Sequence, residues 1–326
     1  MFDLISSKNK QINEAIEIAK SVDFKPVPKR INKILLIGMG GSGIGGKIIS
    51  QLFIDELKVP FCTHHGYGLP NYVDENTLIL ASSYSGNTEE TIGAVREAME
   101  RKATICCVTS GGKLKELATE NNWNCYIVPG GEQPRAMLIY SVIQQISILS
   151  NAGFIANKHF AELEEIPNFL DKNEEAIRSE AKAVAKFCNE VIPVIYTGDT
   201  YEPIGIRFRQ QLNENAKILC WHHVIPELTH SELVGWAGGS DKFGVVYLNS
   251  NFYQDKTNTR WEFVKSKIEE KNSPIRVIEA KGESKLQQFI YLIHLTDWVS
   301  YYLSEIRHVD PVEVDTILDL KRIIKE

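Results

Sequence analysis

The sequence has no run approaching the ~20 apolar residues that a helix needs to cross a bilayer. Residues 1–10 contain no apolar core of signal-peptide length. Positive charge is not in excess either. There are 36 Lys and Arg against 42 Asp and Glu, a net charge of −6. That balance argues against nucleic acid or an anionic membrane as the main partner. The six cysteines, Cys62, Cys106, Cys107, Cys125, Cys188 and Cys220, form no Cys-x-x-Cys pair. Most stand in apolar, strand-like runs, where a reduced core thiol is the ordinary state. No His-x-x-x-His spacing occurs. The neighbours His64-His65 and His222-His223 sit at strand ends. Adjacent strand residues face opposite sides, so neither pair is suited to chelate one ion. The expectation is a cytoplasmic protein with no metal and no cofactor.

What is present is a large core. Of 326 residues, 43% are hydrophobic and 24% charged, which suits about two folded domains and excludes general disorder. After an amphipathic lead-in helix at 10–22, strand and helix patterns alternate. Strands are predicted at 33–38, 59–64, 77–83, 103–109 and 125–128. Helices are predicted at 43–53, from 87, at 113–121 and at 135–150. A stretch of mixed polarity, 151–173, reads as the domain boundary. The alternation then restarts, with strands at 191–196, 218–222, 243–248 and 275–279. Helices are predicted at 203–216, 230–236, 257–270, 285–307 and 311–325. Short apolar strands alternating with helices mean mainly parallel sheets with helices on both faces. The fold class is α/β, with two doubly wound domains at 1–155 and 156–326 and no sequence repeat between them.

Two turns carry the chemistry. Ser82-Ser83-Tyr84-Ser85-Gly86-Asn87-Thr88 lies where a strand becomes a helix. Helix N-termini bind anions, because their first N–H groups are unpaired and the dipole is positive there. An ordinary N-cap needs one such residue, and Ser85 would serve. Clustered hydroxyls at Ser83, Ser85 and Thr88, with Gly86, point instead to a phosphate. The second turn, Gly38-Met-Gly-Gly-Ser-Gly-Ile-Gly-Gly46, contains a Gly-x-Gly-x-x-Gly spacing. A dinucleotide site also wants a carboxylate about 20 residues on. The region 62–67 has none. A plain tight turn would need fewer glycines. The better reading is a second N–H and hydroxyl wall, with Gly41 and Ser42 facing the same ligand.

The two loops in this order resemble sugar isomerase (SIS) domains. The whole chain is similar to the bifunctional phosphoglucose/phosphomannose isomerase family, built from two SIS domains. The anchors are Gly40 to Gly43, Ser83 to Thr88, Pro134-Arg135, Asn213 to Lys217, Glu227 to His230, Pro311-Val312 and Leu320-Lys321. The resemblance implies a metal-free aldose–ketose isomerase taking glucose 6-phosphate, and mannose 6-phosphate, to fructose 6-phosphate. It implies Glu214 as the base between C2 and C1, His230 and Lys321 for ring opening, and Arg135 beside the enediolate. It further implies a homodimer with His230 contributed across the interface, and it leaves Thr316 as a residue that could shape the space near C2.

The residues themselves speak less sharply. A Glu on a polar helix is usually solvated, although Glu214 falls near a helix C-terminus, where the dipole disfavours it. Asn213 and Asn215 beside it are poor helix formers. Thr229 and Glu232 form a capping-box pattern that places His230 in a first helical turn. Lys321, with Arg322 and Lys325, reads as a solvated basic face. Arg135 is expected at the start of the long helix, where a cation opposes the dipole. Two alternatives stay open: a non-catalytic phosphosugar sensor and an amino-sugar phosphate isomerase. The sensor usually carries a basic DNA-binding module, for which residues 1–30 are too short.

Overall fold

A computed structural model describes residues 1–324. In chain order the elements are α1 (Phe2–Ser6), α2 (Lys8–Ser21), β1 (Lys33–Ile37), α3 (Gly40–Leu52), β2 (Phe61–His64), β3 (Thr77–Ser82), α4 (Glu89–Glu100), β4 (Thr104–Thr109), α5 (Gly112–Glu120), β5 (Asn124–Ile127) and α6 (Leu138–Asn151). They continue as α7 (Lys158–Leu163), α8 (Ile166–Glu190), β6 (Ile192–Gly198), α9 (Glu202–Ala216), β7 (Trp221–Ile225), α10 (Glu232–Gly235), β8 (Phe243–Asn249), α11 (Asp255–Glu269), β9 (Ile275–Glu279), α12 (Lys285–Ile306) and α13 (Asp315–Ile324). The predicted helix end at Lys325 lies outside the described residues.

The chain forms two compact units. One comprises residues 6–168 with the segment from Asp315 onward, and the other residues 1–5 and 169–314. The division falls inside α8, later than position 155, and α13 groups with the first unit. The stretch of mixed polarity at 151–173 leads into α8. Its buried residues Ile166, Leu170, Ile177, Ala181, Val184 and Cys188 recur at helical spacing.

The first unit holds a five-stranded parallel sheet, ordered β2-β1-β3-β4-β5. Every residue of β3 is buried, as expected of a central parallel strand covered on both faces. Leu35, Ile37, Ile79, Ala81, Ile105 and Cys107 meet α4 and α5 through Ile92, Val95, Leu114 and Leu117. Leu36, one residue out of phase, meets α3 instead: a Cβ on Gly46 would lie 2.7 Å from its side chain. The order reverses between β1 and β3, so the ligand crevice of such a sheet lies at their carboxyl ends.

The second unit repeats the plan with four parallel strands, ordered β7-β6-β8-β9. α9 packs on α12 through a buried ion pair, Arg207 Nη2 to Asp297 Oδ1 at 2.6 Å, to which Gln211 Nε2 adds a bond of 2.8 Å. β7 starts at Trp221, three residues later than the apolar run 218–222 predicts. Asn213 Nδ2 donates to the Ile218 carbonyl at 2.6 Å, and Leu219 is 87% exposed. Residues 218–220 of that run stay outside the strand, because Asn213 at the end of α9 captures the backbone at Ile218.

Candidate functional site

β3 ends at Ser82 and α4 begins at Glu89, so residues 83–88 form the connecting loop. Gly86 takes φ +70°, and its N–H donates to both the Ser83 carbonyl and Ser83 Oγ at 3.1 Å. Ser83 is buried, and its Oγ lies 3.0 Å from Thr88 Oγ1. Ser85 is exposed and accepts from the Asn87 N–H at 3.2 Å. Thr88 is the N-cap of α4, yet its side chain makes no capping hydrogen bond. Neither Ser85 nor Thr88 therefore acts as an ordinary cap. In the Ser83–Thr88 pair two hydroxyl protons share one contact. One proton is left for an outside acceptor, beside the positive end of α4.

The glycine turn reaches the same loop. Ser42, in the first turn of α3, accepts from the Tyr84 N–H at 3.1 Å. Gly41, Ser42, Ser82, Tyr84, Thr109 and Met137 line part of a cavity of about 20 Å³. The number of glycines has a partly different cause from the one predicted. Gly43 and Gly46 serve close packing: a Cβ on Gly43 would lie 2.5 Å from the Gly38 carbonyl, and one on Gly46 would meet Leu36. Gly41 is the glycine that borders the crevice, with its Cβ direction 3.6 Å from Arg135 Cα.

Arg135 is buried, and its Nη1 donates to Gln133 Oε1 at 3.0 Å. It stands in a single 3₁₀ turn, Pro134–Ala136, and not in the long helix, which starts at Leu138. The predicted dipole penalty of the long helix therefore does not fall on it directly. Ser42, Ser83, Ser85, Thr88, Gly41 and Arg135 thus belong to one unit, around the ends of β1 and β3. Lys321 and Thr316 belong to the same unit, on α13. Both are exposed, as is most of that helix, which contains no buried residue.

Glu214 and His230 belong to the other unit. Glu214 is half-buried in the last turn of α9, which closes when Lys217 enters the left-handed region at φ 54°. The flanking asparagines, poor helix formers, each donate a side-chain hydrogen bond, one local and one tertiary. Asn213 holds the Ile218 carbonyl, and Asn215 Nδ2 donates to Ser300 Oγ at 2.9 Å.

His230 is exposed and ends a 3₁₀ turn, Glu227–His230. The predicted capping box is absent, and the helix predicted at 230–236 is broken. Thr229 Oγ1 donates to the Pro226 carbonyl at 2.6 Å, while Ser231 precedes the four-residue α10. The cause is Glu232. Its Oε1 accepts from Trp221 Nε1 at 3.1 Å and from the Tyr196 hydroxyl, which itself accepts from Trp236 Nε1 at 2.8 Å. A carboxylate that could have reached back to cap is pinned to the sheet. Burial, and then the Glu232 carboxylate, hold the Tyr196 phenol well above its usual range. Glu232, Tyr196, Trp221 and Trp236 escape sequence reasoning, because no local spacing connects them.

The second sheet has a crevice of its own, and side chains fill it. A Cβ on Gly198, at the end of β6, would lie 2.5 Å from the Tyr253 ring. The Tyr201 hydroxyl and Ser250 Oγ both bond Gln288 Oε1, at 2.8 and 2.6 Å. His65 Nδ1 contacts the Gly38 carbonyl at 2.8 Å, and His223 Nδ1 accepts from the Val224 N–H at 2.8 Å. Among the described residues no group of three or more His, Cys, Asp or Glu is placed to hold a metal ion. No helix among them is long and apolar enough to cross a membrane.

Residues 29–154 match the SIS domain, and residues 177–324 match the bacterial phospho-glucose isomerase C-terminal SIS domain. A bifunctional phosphoglucose/phosphomannose isomerase of Caldicellulosiruptor bescii is 34% identical, over 100% of this chain and 99% of that protein. One from Thermoplasma acidophilum is 35% identical over 90% of each. A D-glucosamine-6-phosphate 4-epimerase of Sulfolobus acidocaldarius is 32% identical over 68% of this chain and 69% of its own. Among solved structures, the C-terminal domain of glucosamine-fructose-6-phosphate aminotransferase from Francisella tularensis superposes with a TM-score of 0.75 at 17% identity, covering 96% of this chain and 98% of that one. Tagatose-6-phosphate ketose/aldose isomerase from Escherichia coli superposes at 0.67 with 14% identity, covering 96% and 94%. At those identities the superpositions establish the fold alone.

Proposed function

The chain belongs to the bifunctional phosphoglucose/phosphomannose isomerase family, and from that premise we propose how its residues divide the work of an aldose–ketose isomerase. The substrate is a hexose phosphate. The reaction moves one proton between C2 and C1 and shifts the carbonyl the other way, so it consumes no external oxidant or reductant. Both glucose 6-phosphate and mannose 6-phosphate lead to one cis-enediolate, because C2 loses its configuration there. A single site can therefore serve both epimers.

The observation that carries the reading is the Ser83–Thr88 loop at the uncapped start of α4, joined to Ser42 through Tyr84. Ser83, Ser85 and Thr88 take the phosphate, with Gly41 and Ser42 forming the adjoining wall. Glu214 transfers the proton. Arg135 offsets the charge that develops on the enediolate oxygen. His230 and Lys321 open the ring by moving a proton between the ring oxygen and the C1 hydroxyl. The enzyme is read as a cytoplasmic homodimer, with His230, exposed on its own subunit, supplied across the interface.

Coupled turnover tests the function. Glucose 6-phosphate and mannose 6-phosphate should both yield fructose 6-phosphate, and the sugars without phosphate should not. Turnover of neither phosphate ester would refute it. The 32% identity to a D-glucosamine-6-phosphate 4-epimerase gives a second reading, epimerisation of an amino-sugar phosphate. Conversion of glucosamine 6-phosphate in place of both hexose esters would favour it.

A further inference from the structure

Lys217 closes α9 in a left-handed conformation, φ 54° and ψ 43°. Glycine fills that state at the least cost, and helices commonly end on it. A lysine there has a different use. Its ammonium carries three N–H donors and meets three main-chain carbonyls: Glu214 O at 2.9 Å, Glu313 O at 2.8 Å and Asp310 O. A Glu313 carboxylate oxygen lies 3.8 Å away. The first carbonyl belongs to the residue read as the base. The other two belong to the segment that runs directly into α13, which begins at Asp315 and carries Lys321.

The helix end does not depend on this ammonium alone. Arg307 Nε donates to the Ala216 carbonyl at 3.1 Å, and Asn213 holds Ile218. What Lys217 adds is a direct tie between the last turn of α9 and residues 310–313. We propose that Lys217 is a positioning residue for the isomerisation, its ammonium tying the turn that bears Glu214 to residues 310–313 of the same unit. This rests on the reading of Glu214 given above.

Three variants of the full chain separate the tie from the backbone strain. Lys217→Met removes the donors and keeps the strain. Lys217→Gly removes both. Lys217→Arg keeps donors and strain. Steady-state kinetics on fructose 6-phosphate, thermal midpoints and amide exchange of residues 310–314 are measured on each. The expected result is a kcat lowered roughly tenfold to a hundredfold in both Met and Gly, with KM little changed. Lys217→Gly should be at least as heat-stable as Lys217→Met, Lys217→Arg should recover part of kcat, and exchange at 310–314 should quicken only where the donors are gone. Wild-type kcat in Lys217→Gly overturns the proposal. So does activity that simply follows thermal stability, or activity lost with exchange at 310–314 unchanged. Glu214→Gln is run alongside. If it keeps full turnover, the base assignment fails by itself, while the exchange data still judge the tie.

Discussion

Gly86→Ala tests whether the serine loop is a fixed anion cradle. Gly86 has φ +70°, and an ideal Cβ there would lie 1.8 Å from the Gly111 carbonyl oxygen. A left-handed alanine costs roughly 1–2 kcal/mol before any clash. Relieving the clash takes the separation from 1.8 Å to at least 3.0 Å, a shift of about 1.2 Å between two backbone segments. Those segments are joined by Leu114 N–H to the Gly86 carbonyl at 2.9 Å, Ser110 N–H to the Tyr84 carbonyl at 3.0 Å and Lys113 N–H to Asn87 Oδ1 at 3.0 Å. A shift of that size breaks at least two of them, at about 1 kcal/mol each. The total is roughly 3–5 kcal/mol, taken either as lost stability or as a displaced loop. The assay is KM for glucose 6-phosphate, with the inhibition constant of inorganic phosphate and a urea midpoint. Phosphate affinity should fall with the loop geometry. Gly93→Ala is the control, since Gly93 lies inside α4 with open space around its Cβ position. It should be neutral or stabilising by up to about 1 kcal/mol. Wild-type KM, phosphate inhibition and urea midpoint in Gly86→Ala would refute the reasoning.

Glu232→Ala leaves the Trp221 indole and the buried Tyr196 hydroxyl without their acceptor, and should lower stability by roughly 2–4 kcal/mol in urea unfolding. Glu232→Gln, which keeps a carbonyl oxygen in place, should lose much less; equal losses would show that the hydrogen bonds are not the cause. Glu174 supplies a pH dependence. Burial raises its carboxyl pKa, but the hydrogen bond and charge of His294, at 2.7 Å, and the charge of Arg178 outweigh that and leave it below the ordinary range. A lowered folded pKa gives stability that is complete above the unfolded value, roughly pH 4.3, and is lost as pH falls through the folded one. The urea midpoint of Glu174→Gln should therefore change less than the wild type's between about pH 5 and pH 3; parallel pH curves would contradict this.

Local features of the sequence were the legible ones. β3 reads as a strand because a central parallel strand is apolar on both faces, and the serine loop reads as an anion site because its hydroxyls adjoin a helix start. The periodicity of α8 was also present, in Ile166, Leu170, Ile177 and Ala181, but its polar outer face hid the helix within the stretch of mixed polarity, where the two units do divide. β7 was misplaced because Leu219 belongs to an apolar run and yet is exposed. The partners of Glu232 and of Lys217 were not legible. Tyr196, Trp221 and Trp236 converge on one carboxylate only after the sheet forms. Lys217 meets Asp310 and Glu313 across 93 and 96 residues of chain. Glu214, His230 and Lys321 stood out by resemblance, since each would otherwise pass for a solvated side chain.

The most direct test of the whole account is Glu214→Gln, assayed for conversion of glucose 6-phosphate and of mannose 6-phosphate to fructose 6-phosphate. Glutamine is close to isosteric with glutamate and cannot take up the proton. A positioned general base contributes roughly 10²–10⁴-fold, so turnover of both substrates should fall by that order while the thermal midpoint stays in place. Undiminished turnover of either substrate would contradict the assignment of Glu214 as the residue that moves the proton.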